Sequence, residues 1–96
     1  MKKFLFLYCG PWKKEQEIRD AWTNWFASIG DSVVDGGNPL GPGRELTHNG
    51  TNDLPHDKEA VTGYSIISAK NIEEAEKLAK DCPIMTSVRV YETISM

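Results

Sequence analysis

His56, with Asp57 beside it and Asp53 three positions before it, is the cluster in this chain best suited to moving a proton. An imidazole titrates close to neutrality and a carboxylate can orient it, so His56 as general acid or base with Asp53 as its partner is the candidate catalytic pair. The same residues also make an ordinary solvated turn, in which Asp53 bonds to local backbone amides. No nucleophile stands beside them in the sequence. His48, between Thr47 and Asn49 and ahead of Gly50, reads as a solvated turn residue. The two histidines are eight positions apart, which is not a recognised ligand spacing, so no metal and no cofactor is expected.

A second set of residues could hold a substrate rather than react with it. Trp12, Trp22 and Trp25 are a rich allotment for 96 residues. Trp22 and Trp25 keep a helical stripe and read first as core, whereas Trp12 lies off it and is free to line a cleft, where its flat ring suits an apolar ligand. Tyr64 joins it as a candidate. Arg89 and Tyr91 share one face of the last apolar run. If that face is buried, the guanidinium needs an anion, supplied by a carboxylate of the protein or by a ligand. The run GGNPLGPG over residues 36–43 resembles a phosphate cradle in composition only: it lacks the Lys-Ser/Thr ending, its prolines remove amide donors, and no helix starts after it. A plain connection is expected there. Cys82 stands just before Pro83 at a helix C-terminus, where the dipole disfavours a thiolate.

The elements that must position these residues can be read in order. Residues 3–9 are apolar at both odd and even positions, as in a central strand. Gly10-Pro11 ends that run, and Ile18, Ala21, Trp22, Trp25, Phe26 and Ile29 then recur at helical spacing up to Gly30. A short strand around Val33 and Val34 leads into the glycine-rich connection. Residues 44–60 are polar, carry the turn signal Asn49-Gly50, and are expected to form a hairpin-like excursion. Residues 63–69 form a strand buried from both sides. Residues 72–81 form a helix with Asn71 as N-cap, Glu74 completing the capping pattern and Pro83 stopping it. A last strand spans 86–94. Each helix joins two strands, which makes those pairs parallel and puts both helices on one sheet face. The other face of the first strand is then an uncovered apolar surface, the usual mark of self-association.

The run D-L-P-H-x-K-E-x-V-x-G-Y over residues 53–64, followed by A-x-N-x-E-E-A-x-x-L-A-x-x-C-P over 69–83, resembles the YCII-related proteins, including their DGPF-type branch. The resemblance covers roughly the C-terminal half. It implies an α+β fold, a ferredoxin-like βαββαβ subunit forming a dimeric α/β barrel, in small bacterial proteins whose reactions are mostly unassigned. Where DGPF-type members carry Gly and Phe, this chain has Leu54 and His56. YCII-type members carry a suspected catalytic histidine on the first helix, and this chain has none there, so that mechanism does not transfer.

Ninety-six residues, 40% hydrophobic and 26% charged, bound the chain to one domain, residues 1–96. A net charge of −3 with scattered basic residues argues against nucleic acid. Met1-Lys2-Lys3 and the apolar run after it imitate a signal peptide, but Pro11-Trp12-Lys13-Lys14 follows at once and a buried strand is expected instead. No apolar run approaches the roughly 20 residues of a membrane span. Cys9 and Cys82, without close spacing, fit a reduced, cytoplasmic protein. The expectation is a homodimer with a small-molecule ligand. It is an enzyme of small-molecule metabolism working in a cleft of the barrel, or else a non-catalytic binding or sensing module of the same fold.

Overall fold

The computed structural model describes residues 1–84 and 86–95. Its centre is strand β1 (Lys2–Cys9), whose alternate residues Phe4, Phe6 and Tyr8 are all buried. Helix α1 (Gln16–Ile29) follows and ends at Gly30, whose φ of 41° and amide bond to the Phe26 carbonyl close the last turn. One 3-10 turn leads to strand β2 (Val33–Asp35). Strands β3 (Gly43–Thr47) and β4 (Gly50–Leu54) make a hairpin, and strand β5 (Val61–Ala69), helix α2 (Ile72–Ala79) and strand β6 (Ser87–Glu92) complete the chain. The fold is α+β, with two helices and antiparallel sheets.

The main sheet has the order β2-β5-β1-β6, with every neighbouring pair antiparallel. β1 and β2 both run against β5, which lies between them, so they are parallel to each other. The same holds for β5 and β6 about β1. Phe4 pairs with Ile67 and Phe6 with Ser65, so one face of the sheet carries Phe4, Phe6, Tyr8, Ser65, Ile67 and Ala69. Both helices cover this face: Trp25 enters from α1, and Ala75 and Ala79 from α2. The Trp25 indole N–H donates to the Leu78 carbonyl at 3.0 Å, which ties the helices together. It also satisfies one of the carbonyls that α2 leaves free at its C-terminus. At the other end of α2, Asn71 Oδ1 accepts from the Glu74 amide at 2.9 Å, and Glu74 Oε1 accepts from the Lys70 amide at 3.2 Å. The capping pattern read from the sequence is therefore present, and α2 stops at Ala79, two residues short of the expected end.

The opposite face has Leu5, Leu7 and Ile66 half-buried at its middle, with Val34, Arg89 and Tyr91 exposed around them. No helix among the described residues packs on it. The β3–β4 hairpin stands apart, every residue from 43 to 54 being exposed. Thr47 organises its turn, accepting from the Asn49 amide at 3.2 Å and donating to the Gly50 carbonyl at 3.3 Å. No helix among the described residues is long and apolar enough to cross a membrane. Both cysteines are free, buried thiols.

Candidate functional site

A cavity of about 510 Å³ opens beside the N-terminal half of α1. Four stretches far apart in sequence enclose it: the end of β1 with the β1–α1 connection and α1 itself, the connection after β2, the start of β5, and Ile84 between α2 and β6. Ile18, Trp22 and Phe26 recur at intervals of four, so they form one row along the helix, and that row is the cavity's apolar wall. Tyr8 completes it from β1, its ring edge-on to Trp22 with centroids 4.7 Å apart. Trp25, three residues after Trp22, instead points into the core.

The facing wall is residues 36–39. Gly37 has a φ of 74° and lies so close to β5 that a Cβ there would stand 1.7 Å from the Tyr64 carbonyl oxygen, so only glycine fits. Its amide donates to Asp35 Oδ1 at 2.8 Å. Asn38 Nδ2 donates to the Tyr64 hydroxyl at 3.2 Å, Pro39 bridges to Gly63, and the Leu40 amide donates to the Thr62 carbonyl at 2.9 Å. The amides of Gly37 and Leu40 are thus already used and Pro39 has none, so this loop works as a wall and not as a phosphate cradle. Ser65, fully buried, accepts from the Tyr8 hydroxyl at 2.9 Å and donates to the Gly36 carbonyl at 2.7 Å, linking the wall's first residue to the sheet.

Trp12 closes one side. Its indole N–H donates to the Leu40 carbonyl at 3.1 Å, which clamps the β1–α1 connection to the end of the loop. His56 packs edge-on to the Trp12 ring with centroids 5.2 Å apart, on the turn between β4 and β5. That turn is tied down by Asp57, which caps the Glu59 amide at 3.0 Å, and by the Gly10 amide, which donates to the Ala60 carbonyl at 2.9 Å. His56 Nε2 is shielded from solvent and has no hydrogen-bond partner among the described residues.

Of the residues singled out from the sequence, Trp12 and Tyr64 line the cavity. His56 stands behind Trp12 and does not line it. Asp53 is on β4, where its carboxylate meets Arg44 at 3.5 Å across the exposed hairpin; among the described residues no hydrogen bond or ion pair joins it to His56. Arg89 and Tyr91 lie opposite Leu7 and Leu5 on the uncovered sheet face, both exposed and away from the cavity. His48 sits at the exposed hairpin tip. Among the described residues no group of three or more metal-ligating side chains gathers. Ile18, Trp22, Phe26 and loop 36–39 were not recognised as site residues from sequence. The i, i+4, i+8 row was the available signal, but it is also what a core stripe looks like.

Burial raises the pKa of two groups here. The Tyr8 phenol is held well above its ordinary value by desolvation, only partly offset by its bond to Ser65. The Cys82 thiol is pushed up to about 11, again chiefly by burial, and stays protonated at neutral pH. Neither is poised as a base or nucleophile near neutrality. Comparison of the sequence with protein-family models finds no match, and no curated protein matches it significantly.

Proposed function

We propose that this chain is a small-molecule-binding domain whose site is the cavity between α1 and loop 36–39. The observation that carries this reading is the cavity itself, about 510 Å³ and walled by Tyr8, Ile18, Trp22 and Phe26. Its size is within the range of about 300–1,000 Å³ of small-molecule sites, and aromatic walls with few polar groups are their usual lining. Titration with the fluorophore 1-anilinonaphthalene-8-sulfonate, followed through tryptophan emission, tests it. Saturable quenching of Trp12 and Trp22 is expected, and it should be lost in Trp22→Ala while the circular-dichroism spectrum persists. Emission unaltered by this and other aromatic probes would remove the site.

A catalytic version, an enzyme of small-molecule metabolism, is favoured by one observation: the solvent-shielded, unpartnered Nε2 of His56 against a cavity residue. In that version His56 acts as acid or base after Trp12 swings aside, and Asp53 must leave Arg44 to assist it. His56→Ala would then abolish turnover while probe binding survives. The binding module needs neither movement and is the simpler reading.

The architecture we propose is that of the YCII-related proteins. With the β3–β4 hairpin set aside, the elements run βαββαβ, and the order β2-β5-β1-β6 is the arrangement of a ferredoxin-like sheet, which supports the resemblance carried by residues 53–83. A second copy is the proposed cover for Leu5, Leu7 and Ile66. β2, β5, β1 and β6, with 3, 9, 8 and 6 residues, at about 3.3 Å per residue and about 4.8 Å between strands offer about 400 Å² per copy, or about 800 Å² in total, so connections at the sheet's rim must contribute to reach the roughly 1,000 Å² of a specific interface. Native mass spectrometry distinguishes a dimer from the 10.8 kDa subunit, and a monomer at micromolar concentration would refute the barrel.

A further inference from the structure

The cavity's charged lining is one-sided. Lys13, Lys14 and Arg19 all line it, and among the described residues no aspartate or glutamate does. This bias is local, because the chain as a whole carries a net charge of −3. Nor are the three cations spoken for: the ion pairs among the described residues join Lys2 to Glu92 and Arg44 to Asp53. Asp20, beside Arg19, accepts from Gln16 on α1 at 2.7 Å, and among the described residues neither it nor Glu15 or Glu17 forms an ion pair with the three cations. Lys14 is held at the mouth, its Nζ 5.9 Å above the Trp12 ring. Glu15, Glu17 and Asp20 alternate with these cations in sequence but do not line the cavity, so the positive bias belongs to its lining, where three like charges beside apolar walls favour an entering anion.

Lys13, Lys14 and Arg19 all belong to the β1–α1 side, whereas the loop 36–39 side supplies only glycine, asparagine and proline. A ligand matched to this asymmetry has a flat apolar body and an anionic group at one end. We infer that the cavity selects an aromatic carboxylate or similarly built organic anion, its ring against Trp22, Phe26 and Tyr8 and its negative charge toward Lys13, Lys14 and Arg19. This inference rests on the cavity being a binding site and adds the class of ligand. The cations are exposed, so each contributes modestly and selectivity comes from the three together.

Three probes of one shape and different charge make the test: 2-naphthoate, 2-naphthylmethanol and 2-naphthylmethylammonium, titrated calorimetrically at low and high salt. Naphthoate is expected to bind about tenfold more tightly than the alcohol at low salt, the ammonium most weakly, with the naphthoate advantage shrinking as salt rises. The Lys14→Gln/Arg19→Gln variant should narrow the naphthoate-to-alcohol ratio to within about twofold, while Lys77→Gln/Lys80→Gln on α2 leaves the tenfold ratio in place. Equal affinity for the alcohol, or tighter binding of the ammonium, would overturn the anion assignment and leave the cavity as a neutral or cation site. Failure of all three probes to bind would overturn the binding site itself, and the ligand class with it.

Discussion

Gly37→Ala separates a cavity wall from a mere connection, because Gly36 next to it provides a matched control. At Gly37 the φ of 74° is a conformation that costs alanine about 1–2 kcal/mol. The new Cβ must also retreat from 1.7 Å to beyond 3.0 Å of the Tyr64 carbonyl oxygen, a displacement of at least about 1.3 Å. Strand β5 cannot yield, being paired with β1 at Tyr64 itself, so the loop has to move. Its far end is pinned by the Leu40–Thr62 bond, so the movement falls on Gly37 and Asn38 and breaks the bonds to Asp35 and the Tyr64 hydroxyl. With about 0.5–1 kcal/mol for those exposed bonds, the total is about 1.5–3 kcal/mol. At about 4–8 °C per kcal/mol for a domain of this size, Tm should fall by about 6–24 °C. Probe affinity should fall about tenfold, equivalent to about 1.4 kcal/mol. Gly36→Ala meets nothing within 4 Å and should stay within about 0.5 kcal/mol of the parent. Differential scanning fluorimetry and naphthoate titration read both variants. If Gly37→Ala keeps the parent's Tm and affinity, or if Gly36→Ala loses as much, loop 36–39 does not form the wall described.

Asn71→Ala removes the acceptor of the Glu74 amide and should destabilise the fold by about 1 kcal/mol in urea denaturation, with Asn71→Asp close to the parent. Trp25→Phe leaves the Leu78 carbonyl without its indole donor and a void where the larger ring stood; a loss of about 2–4 kcal/mol is expected, read as a lower urea midpoint at constant m. The raised Cys82 pKa acts on stability with a defined sign. The unfolded thiol ionises near about 8.5 while the folded one holds its proton to about 11, so the unfolded state binds fewer protons between those values. Stability from this group is complete below about pH 8.5 and falls as pH rises toward about 11. Urea midpoints from pH 7 to 11 should show this decline, and it should be reduced in Cys82→Ala.

Local patterns were legible in the sequence wherever one stretch alone determines them. Asn71 and Glu74 specify the start of α2 because both partners of the cap lie within one turn. The doubly apolar β1 announced a central strand, since only a strand flanked on both sides needs apolar residues at odd and even positions. The hairpin within residues 44–60 was signalled by Asn49-Gly50 one position late: the two turn residues are His48 and Asn49, and Gly50 already pairs with Thr47. The cavity was not legible, and the helix shows why. Trp22 and Trp25 are three positions apart, about 60° around the axis, so both fall in one apolar stripe. Which of them meets the core and which meets open space depends on where loop 36–39 lies, and that position is set by Gly37 against Tyr64 and Leu40 against Thr62, contacts that no window of sequence contains.

Asp53 and His56 make the complementary point: nearness in sequence is not nearness of side chains. β4 ends at Leu54, and Pro55 turns the chain, so Asp53 faces Arg44 across the hairpin while His56 swings against Trp12. The same Trp12 that His56 supports also bonds to Leu40 and carries Lys14 over its ring, so one indole joins the turn, the wall and the basic end of the cavity. Lys13 and Lys14 follow it because the chain leaves β1 at Gly10-Pro11 and must cross the cavity mouth before α1 can begin at Gln16. The break that ends the central strand is therefore also what brings Lys13 and Lys14 into the lining of the cavity.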